Sequence, residues 1–177
     1  MRYLVDDSAS RFTVRVFSSG MLSMMGHNPT IAIRKFTGEA EYDPAAPEKA
    51  SLRMRVRADS LEVTDDISGK DRREMESTMN ENVLESAKYP EIVFESTGAS
   101  ASNNQIMLNG NLTLHGVTER LPLSVQVSVL GDTIRASGAF AILQSDYGLP
   151  QVSVAGGTLK LKDELRFAFD IVARKQD

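Results

Sequence analysis

Leu121-Pro122-Leu123-Ser124-Val125-Gln126-Val127-Ser128-Val129 carries an apolar residue at every second position, with a polar residue or proline between. A period of two sends alternate side chains to opposite faces, so the stretch reads as a β-strand with one apolar and one wet side. The same pattern continues outward in both directions. Upstream, Ile106, Leu108, Leu112 and Leu114 alternate with Asn109, Asn111 and Thr113; downstream, Ile134, Ala136, Phe140 and Ile142 form one face and Leu165, Phe167, Phe169 and Ile171 another. Nearer the start, Phe12, Val14 and Val16 alternate with Thr13 and Arg15, and Leu52, Met54 and Val56 with Arg53, Arg55 and Arg57. Turn formers separate the runs at Gly131-Asp132, Ser102-Asn103-Asn104 and the Asp43-Pro44 to Pro47 loop. One-sided strands in meander order predict an all-β fold: an antiparallel sheet closed on itself as a barrel, or a sandwich. In a barrel of roughly eight strands the interior is either filled by side chains or holds one small ligand. The inward positions mix Gly110, Ala136, Gly138 and Ala173 with Phe94, Phe140, Phe167 and Phe169. Small residues in such a face either leave room for a guest or let neighbouring rings pack.

One segment breaks the strand series. From Ser68 to about Leu84 the chain is charged and free of turn residues, and Met75, Met79 and Val83 recur every four residues, the spacing of one helical face. Ser68, followed three residues later by Asp71, suits a helix N-cap, and Lys88-Tyr89-Pro90 stops any helix because the residue before proline avoids the helical region. A helix over 69–84, lying near one opening, is the expectation.

Composition removes whole classes of function. The 177 residues contain no cysteine and no tryptophan, which excludes disulfides, thiolate metal sites, cysteine nucleophiles and thiol redox chemistry. Twenty basic residues against 24 acidic ones leave a formal charge of −4, opposite to the footprint of a nucleic-acid-binding domain. The longest uninterrupted apolar run, Ala139 to Leu143, is too short for a membrane helix, so no stable membrane insertion is expected. Two carboxylates, Asp6 and Asp7, interrupt the N-terminus before any apolar leader, and the expectation is a cytoplasmic protein. No repeat and no linker divides the chain, which reads as one domain over 1–177.

Three blocks in fixed order complete the pattern: Lys88-Tyr89-Pro90-Glu91-Ile92-Val93-Phe94-Glu95-Ser96, Leu112-Thr113-Leu114-His115-Gly116-Val117-Thr118, and Ser145-Asp146-Tyr147-Gly148-Leu149. With Asp43-Pro44 upstream and an alternating last strand, the chain resembles the YceI-like family over nearly its whole length. Gly26-His27-Asn28-Pro29 is similar to a leaderless subgroup of it. The resemblance implies a lipocalin-like antiparallel closed barrel that encloses an isoprenoid or other long lipid-like chain, with no cofactor. Family members are often periplasmic and often dimeric, which makes a homodimer the implied assembly.

On this reading the ligand contacts come from the inward strand faces and from the segments that cover an opening. Val14, Val16, Met54, Phe94, Leu108, Leu112, Phe140, Phe167 and Phe169 are the candidates on strands. Met24 and Met25, with Met21 before them, and Met75 and Met79 supply adaptable thioethers, and the stretches 21–25 and 69–84 are the candidate gate. Arg72, beside Lys70 and Arg73, suits an anionic head group at the mouth or simply a solvated helix face. His27 and His115 stand in loop sequence with no metal-ligand spacing, so hydrogen bonding to a head group or to backbone is the expected role. Arg53, Arg55 and Arg57 lie on a wet face, where pairing with acids of neighbouring strands competes with contact to an acidic partner. Three functions remain open at this point: a carrier of a long apolar ligand, an enzyme using His27 and Asp146 on a lipid-like substrate, and a barrel whose interior is simply packed.

Overall fold

Eight antiparallel strands close on themselves in the computed structural model, which describes residues 1–19, 28–103, 105–154 and 159–177, with the backbone alone at 19, 153, 154, 159 and 160. The strands are β1 (Arg2–Ser19), β2 (Thr30–Ile33), β3 (Phe36–Glu41), β4 (Ser51–Arg57), β5 (Leu61–Val63), β6 (Glu91–Ser102), β7 (Gln105–Leu114), β8 (Val117–Arg120), β9 (Leu123–Leu130), β10 (Thr133–Leu143), β11 (Ser153–Val154) and β12 (Leu159–Lys175). The ring runs β1-β3-β4-β6-β7-β9-β10-β12, and β12 returns to pair with β1. β2 and β5 extend the wall beyond β3 and β4, β8 lies beside β7, and β11 pairs with the start of β12.

Alternation sets which side chains point inward. Val14, Val16, Phe94, Ile106, Leu108, Leu112, Leu114, Leu121, Leu123, Val125 and Ile142 are buried, while Arg53, Arg55 and Arg57 are exposed. Arg53 pairs with Glu95 across β4 and β6 at 2.8 Å, and Arg57 with Asp59 at 2.7 Å. Val129 departs from the expected inward set. It is 42% exposed, near the tip of the β9–β10 hairpin.

The longest strand needs one correction of phase to serve both ends of the barrel. β1 slips against β12 between Asp6 and Arg11, so Tyr3 and Val5 face the interior on one side of the slip and Phe12, Val14 and Val16 on the other. Polar groups inside the bulge satisfy its backbone: the Asp6 carboxylate accepts from Ser8 Oγ at 2.6 Å and the Ala9 N–H at 3.2 Å, and Ser10 Oγ accepts from the Val172 N–H at 2.9 Å. The Ser8 hydroxyl, with Arg174 beside it, holds the Asp6 carboxyl below the usual range.

A packed cluster of Tyr3, Ile134 and Ala173, with Val5, Ala40 and Tyr42 against it, closes one end. The helix α1 (Gly69–Thr78) lies at the other. Ser68 caps it, its hydroxyl accepting from the Asp71 N–H at 3.0 Å. The helix is shorter than the expected 69–84. From Met79 to Val83 the backbone widens into a π turn, in which the Leu84 N–H donates to the Met79 carbonyl at 2.8 Å. The wider turn keeps Met79, Val83 and Leu84 all directed at the interior, which a regular helix would not do.

Candidate functional site

The barrel encloses a cavity of about 580 Å³. Val5, Ala40, Ile134 and Ala173 line its floor above the closing cluster. Aromatic rings line its middle: Phe140 and Phe167 stack face to face at 4.7 Å, and Phe12 and Phe169 stand against them at angles. Val16, Ile31, Leu161 and Leu165 carry the wall upward to α1, which contributes Asp71, Glu74, Met75, Thr78 and Met79.

The inward glycines serve ring packing. A Cβ on Gly138 would stand 2.5 Å from the Ser124 carbonyl oxygen and 2.6 Å from Phe169 Cζ, and one on Gly110 would overlap the Phe94 ring. Rings of neighbouring strands thus occupy the space beside these glycines, and the volume does not come from gaps left where their side chains are missing.

Polarity is confined to one end. Among the described residues the polar ones lining the cavity are Ser18, Asp71, Glu74, Thr78 and Gln144, and all lie toward α1: Ser18 near the end of β1, Gln144 just past the end of β10, the others on the helix. Gln144 is only 4% exposed, and its Nε2 donates to the Lys162 carbonyl at 3.0 Å. Ser18 is held by Asn28, whose Oδ1 accepts from the Ser18 N–H at 3.1 Å. α1 is fastened to the wall by Glu76, whose carboxylate accepts the Val63 N–H at 3.0 Å, and by Arg72, which donates to the Asp65 carbonyl at 2.8 Å.

The cavity brings together Val14, Val16, Met54, Met75, Met79, Phe94, Leu112, Phe140, Phe167 and Phe169 of the candidates read from the sequence. Two candidates lie off its wall. Leu108 is buried in the core cluster with Ile106 and Leu123 and does not line the cavity. Arg72 is absent from the mouth because its guanidinium turns to the Asp65 carbonyl, leaving its Nε without a partner among the described residues; Lys70 and Arg73 are exposed and likewise off the wall. Met21, Met24, Met25 and His27 lie outside the described residues. His115 stands in the β7–β8 turn with Gly116, both at positive φ, as the hairpin requires. Its Nε2 meets Glu85 Oε2 at 2.6 Å, so its partner is a carboxylate instead of the expected backbone group. Asp146 is exposed and off the cavity.

Sequence reading missed Glu74, Asp71 and Gln144. Glu74 and Asp71 share the cavity-facing side of α1 with Met75, a signal present in the helical spacing. Nothing local distinguishes Gln144, since its burial depends on where β12 passes.

A family model described as a YceI-like domain matches residues 3–173. The chain belongs to the YceI-like family. Among relatives by sequence, a UPF0312 protein of Shewanella oneidensis is 29% identical over 98 residues, covering 55% of this chain and 47% of its own. A UPF0312 protein of Shewanella baltica is 27% identical over 113 residues, covering 63% and 55%. The chain thus spans about half the length of these relatives. Among solved structures, Burkholderia cenocepacia BcnA superposes with a TM-score of 0.77 at 21% identity, over 95% of this chain and 98% of its own. A polyisoprenoid binding domain from Saccharophagus degradans, implicated in plant cell wall breakdown, gives 0.70 at 17% identity over 98% of both chains. These likenesses show that the YceI-like barrel is the fold. No helix among the described residues of this YceI-like chain is long and apolar enough to cross a membrane.

Proposed function

We propose that this YceI-like barrel is a non-enzymatic carrier that holds one long amphipathic molecule, an isoprenoid or other lipid-like chain, with its tail toward the closed floor and its head toward α1. The observation that supports the reading is the separation within the cavity: apolar floor and aromatic middle, with the polar side chains among the described residues at the helix end. The volume of about 580 Å³ suits a small-molecule site. Each methylene taken from water into such a lining contributes roughly 0.8 kcal/mol, so an alkyl or prenyl tail would supply most of the affinity. The polyisoprenoid binding domain of Saccharophagus degradans, with the same fold, supports the ligand class. No described observation favours the enzymatic alternative, since Asp146 points to solvent away from the cavity.

Filling the cavity tests the proposal. Ala136, on the wall among the rings, replaced as Ala136→Phe, should abolish uptake of a fluorescent long-chain probe while circular dichroism stays that of the folded barrel. Unchanged uptake by a folded Ala136→Phe protein would place the probe outside the barrel and end the proposal.

A further inference from the structure

The helix end of the cavity offers acceptors and negative charge. Asp71 and Glu74 lie one turn apart on the side of α1 that lines the cavity, and neither carboxylate has an ion-pair partner among the described residues. Below them Gln144 presents its amide to the same space, with its Nε2 already engaged by the Lys162 carbonyl. Its Oε1 and its second Nε2–H have no partner among the described residues, on a side chain that is 4% exposed. Among the described residues no lysine or arginine lines the cavity. The nearest basic residues of α1 are turned elsewhere, Arg72 to the Asp65 carbonyl and Lys70 and Arg73 to solvent.

We infer that the carried molecule has a cationic or hydrogen-bond-donating head, such as a primary or secondary amine, and that Glu74, Asp71 and Gln144 select it against a phosphate or carboxylate head. The inference rests on the proposed amphiphile-binding reading and names the head that the cavity takes. An anionic head drawn into this mouth would meet two carboxylates with no compensating cation among the described residues. An ammonium would meet three acceptors. Asp71 is in the first turn of α1, where the helix dipole offsets part of its charge, so Glu74 carries more of the discrimination.

Chain-matched probes separate the head from the tail. Dodecylammonium, dodecanol and dodecyl phosphate would compete against a neutral fluorescent alkyl probe, each below its micelle concentration. The expected order of affinity is ammonium, alcohol, phosphate, with the ammonium preferred over the phosphate by about three- to tenfold, as two rim-exposed ion pairs support. Raising sodium chloride to roughly 0.5 M should shrink that ratio, because exposed charges are screened within a few ångströms there. The double variant Asp71→Asn, Glu74→Gln should bring the two charged heads to within about twofold of each other while the neutral alkyl probe still binds, and Glu74→Lys should invert the order. Both positions are exposed, so these variants test charge rather than folding. Dodecyl phosphate binding as tightly as dodecylammonium, with dodecanol still bound, would overturn the head inference and leave the carrier reading standing. Failure of all three to displace the probe would overturn both.

Discussion

At Gly138 the space for a side chain is taken twice over, by the Ser124 carbonyl and by the Phe169 ring. Gly138→Ala forces one of them to move, and the carbonyl belongs to the barrel wall, so a loss of about 1–3 kcal/mol is expected in chemical denaturation, as for overpacked cores. Tyr147 gives a second test. Burial, with the charges of Glu119 and Asp146 beside it, pushes its phenol from 10.0 up to about 12. In that window the folded protein holds a proton that the unfolded chain has released, so this contribution is intact below pH 10 and falls as pH rises toward 12. The fall should be on the order of 1–2 kcal/mol and should be missing from Tyr147→Phe, measured by urea titration at stepped pH. Residues whose environment follows from strand phase, such as Val14, Leu112 and Phe167, were legible in the sequence. Gln144 and Arg72 were not, because a polar side chain near a strand or helix end takes its direction from whichever carbonyl passes closest, here those of Lys162 and Asp65.

Among the described residues, α1 and the π turn after it join the barrel through one backbone hydrogen bond to a carboxylate, one guanidinium contact, and Met75 and Met79. The two methionines differ. Met75 is 37% exposed at the rim, whereas Met79 is partly buried and packs against both the main core and the Val14, Val16, Ile31 cluster. The expectation that both belong to a gate is therefore divided: Met75→Ala should speed release of a long-chain probe in stopped flow with stability unchanged, and Met79→Ala should cost about 1–2 kcal/mol of folding stability as a partly buried methionine. Glu76→Ala removes the acceptor for the Val63 N–H, and hydrogen exchange should quicken at Val63 and along α1 while the β10 and β12 amides stay protected. Strands and the start of the helix were readable from periodicity and from Ser68. The π turn and the β1 bulge were not, since both are adjustments that bring a side-chain set back into phase with a barrel whose curvature no local pattern encodes.

The molecule as a whole is a cup, sealed at the Tyr3, Ile134, Ala173 end, ringed by phenylalanines and rimmed with polar groups at α1. One-sided strands in meander order allowed a closed barrel or a sandwich, and the resemblance to the YceI-like family pointed to the barrel. Whether the interior is open was not foreseeable, because Gly110 and Gly138 fit either outcome until the rings are seen lying against them. Native mass spectrometry of the protein purified from its own host tests the central claim most directly. The account predicts one retained molecule per barrel, with the mass of a long-chain amphiphile, and its loss in Ala136→Phe. Ligand-free wild-type protein that also takes up no alkyl probe would contradict it.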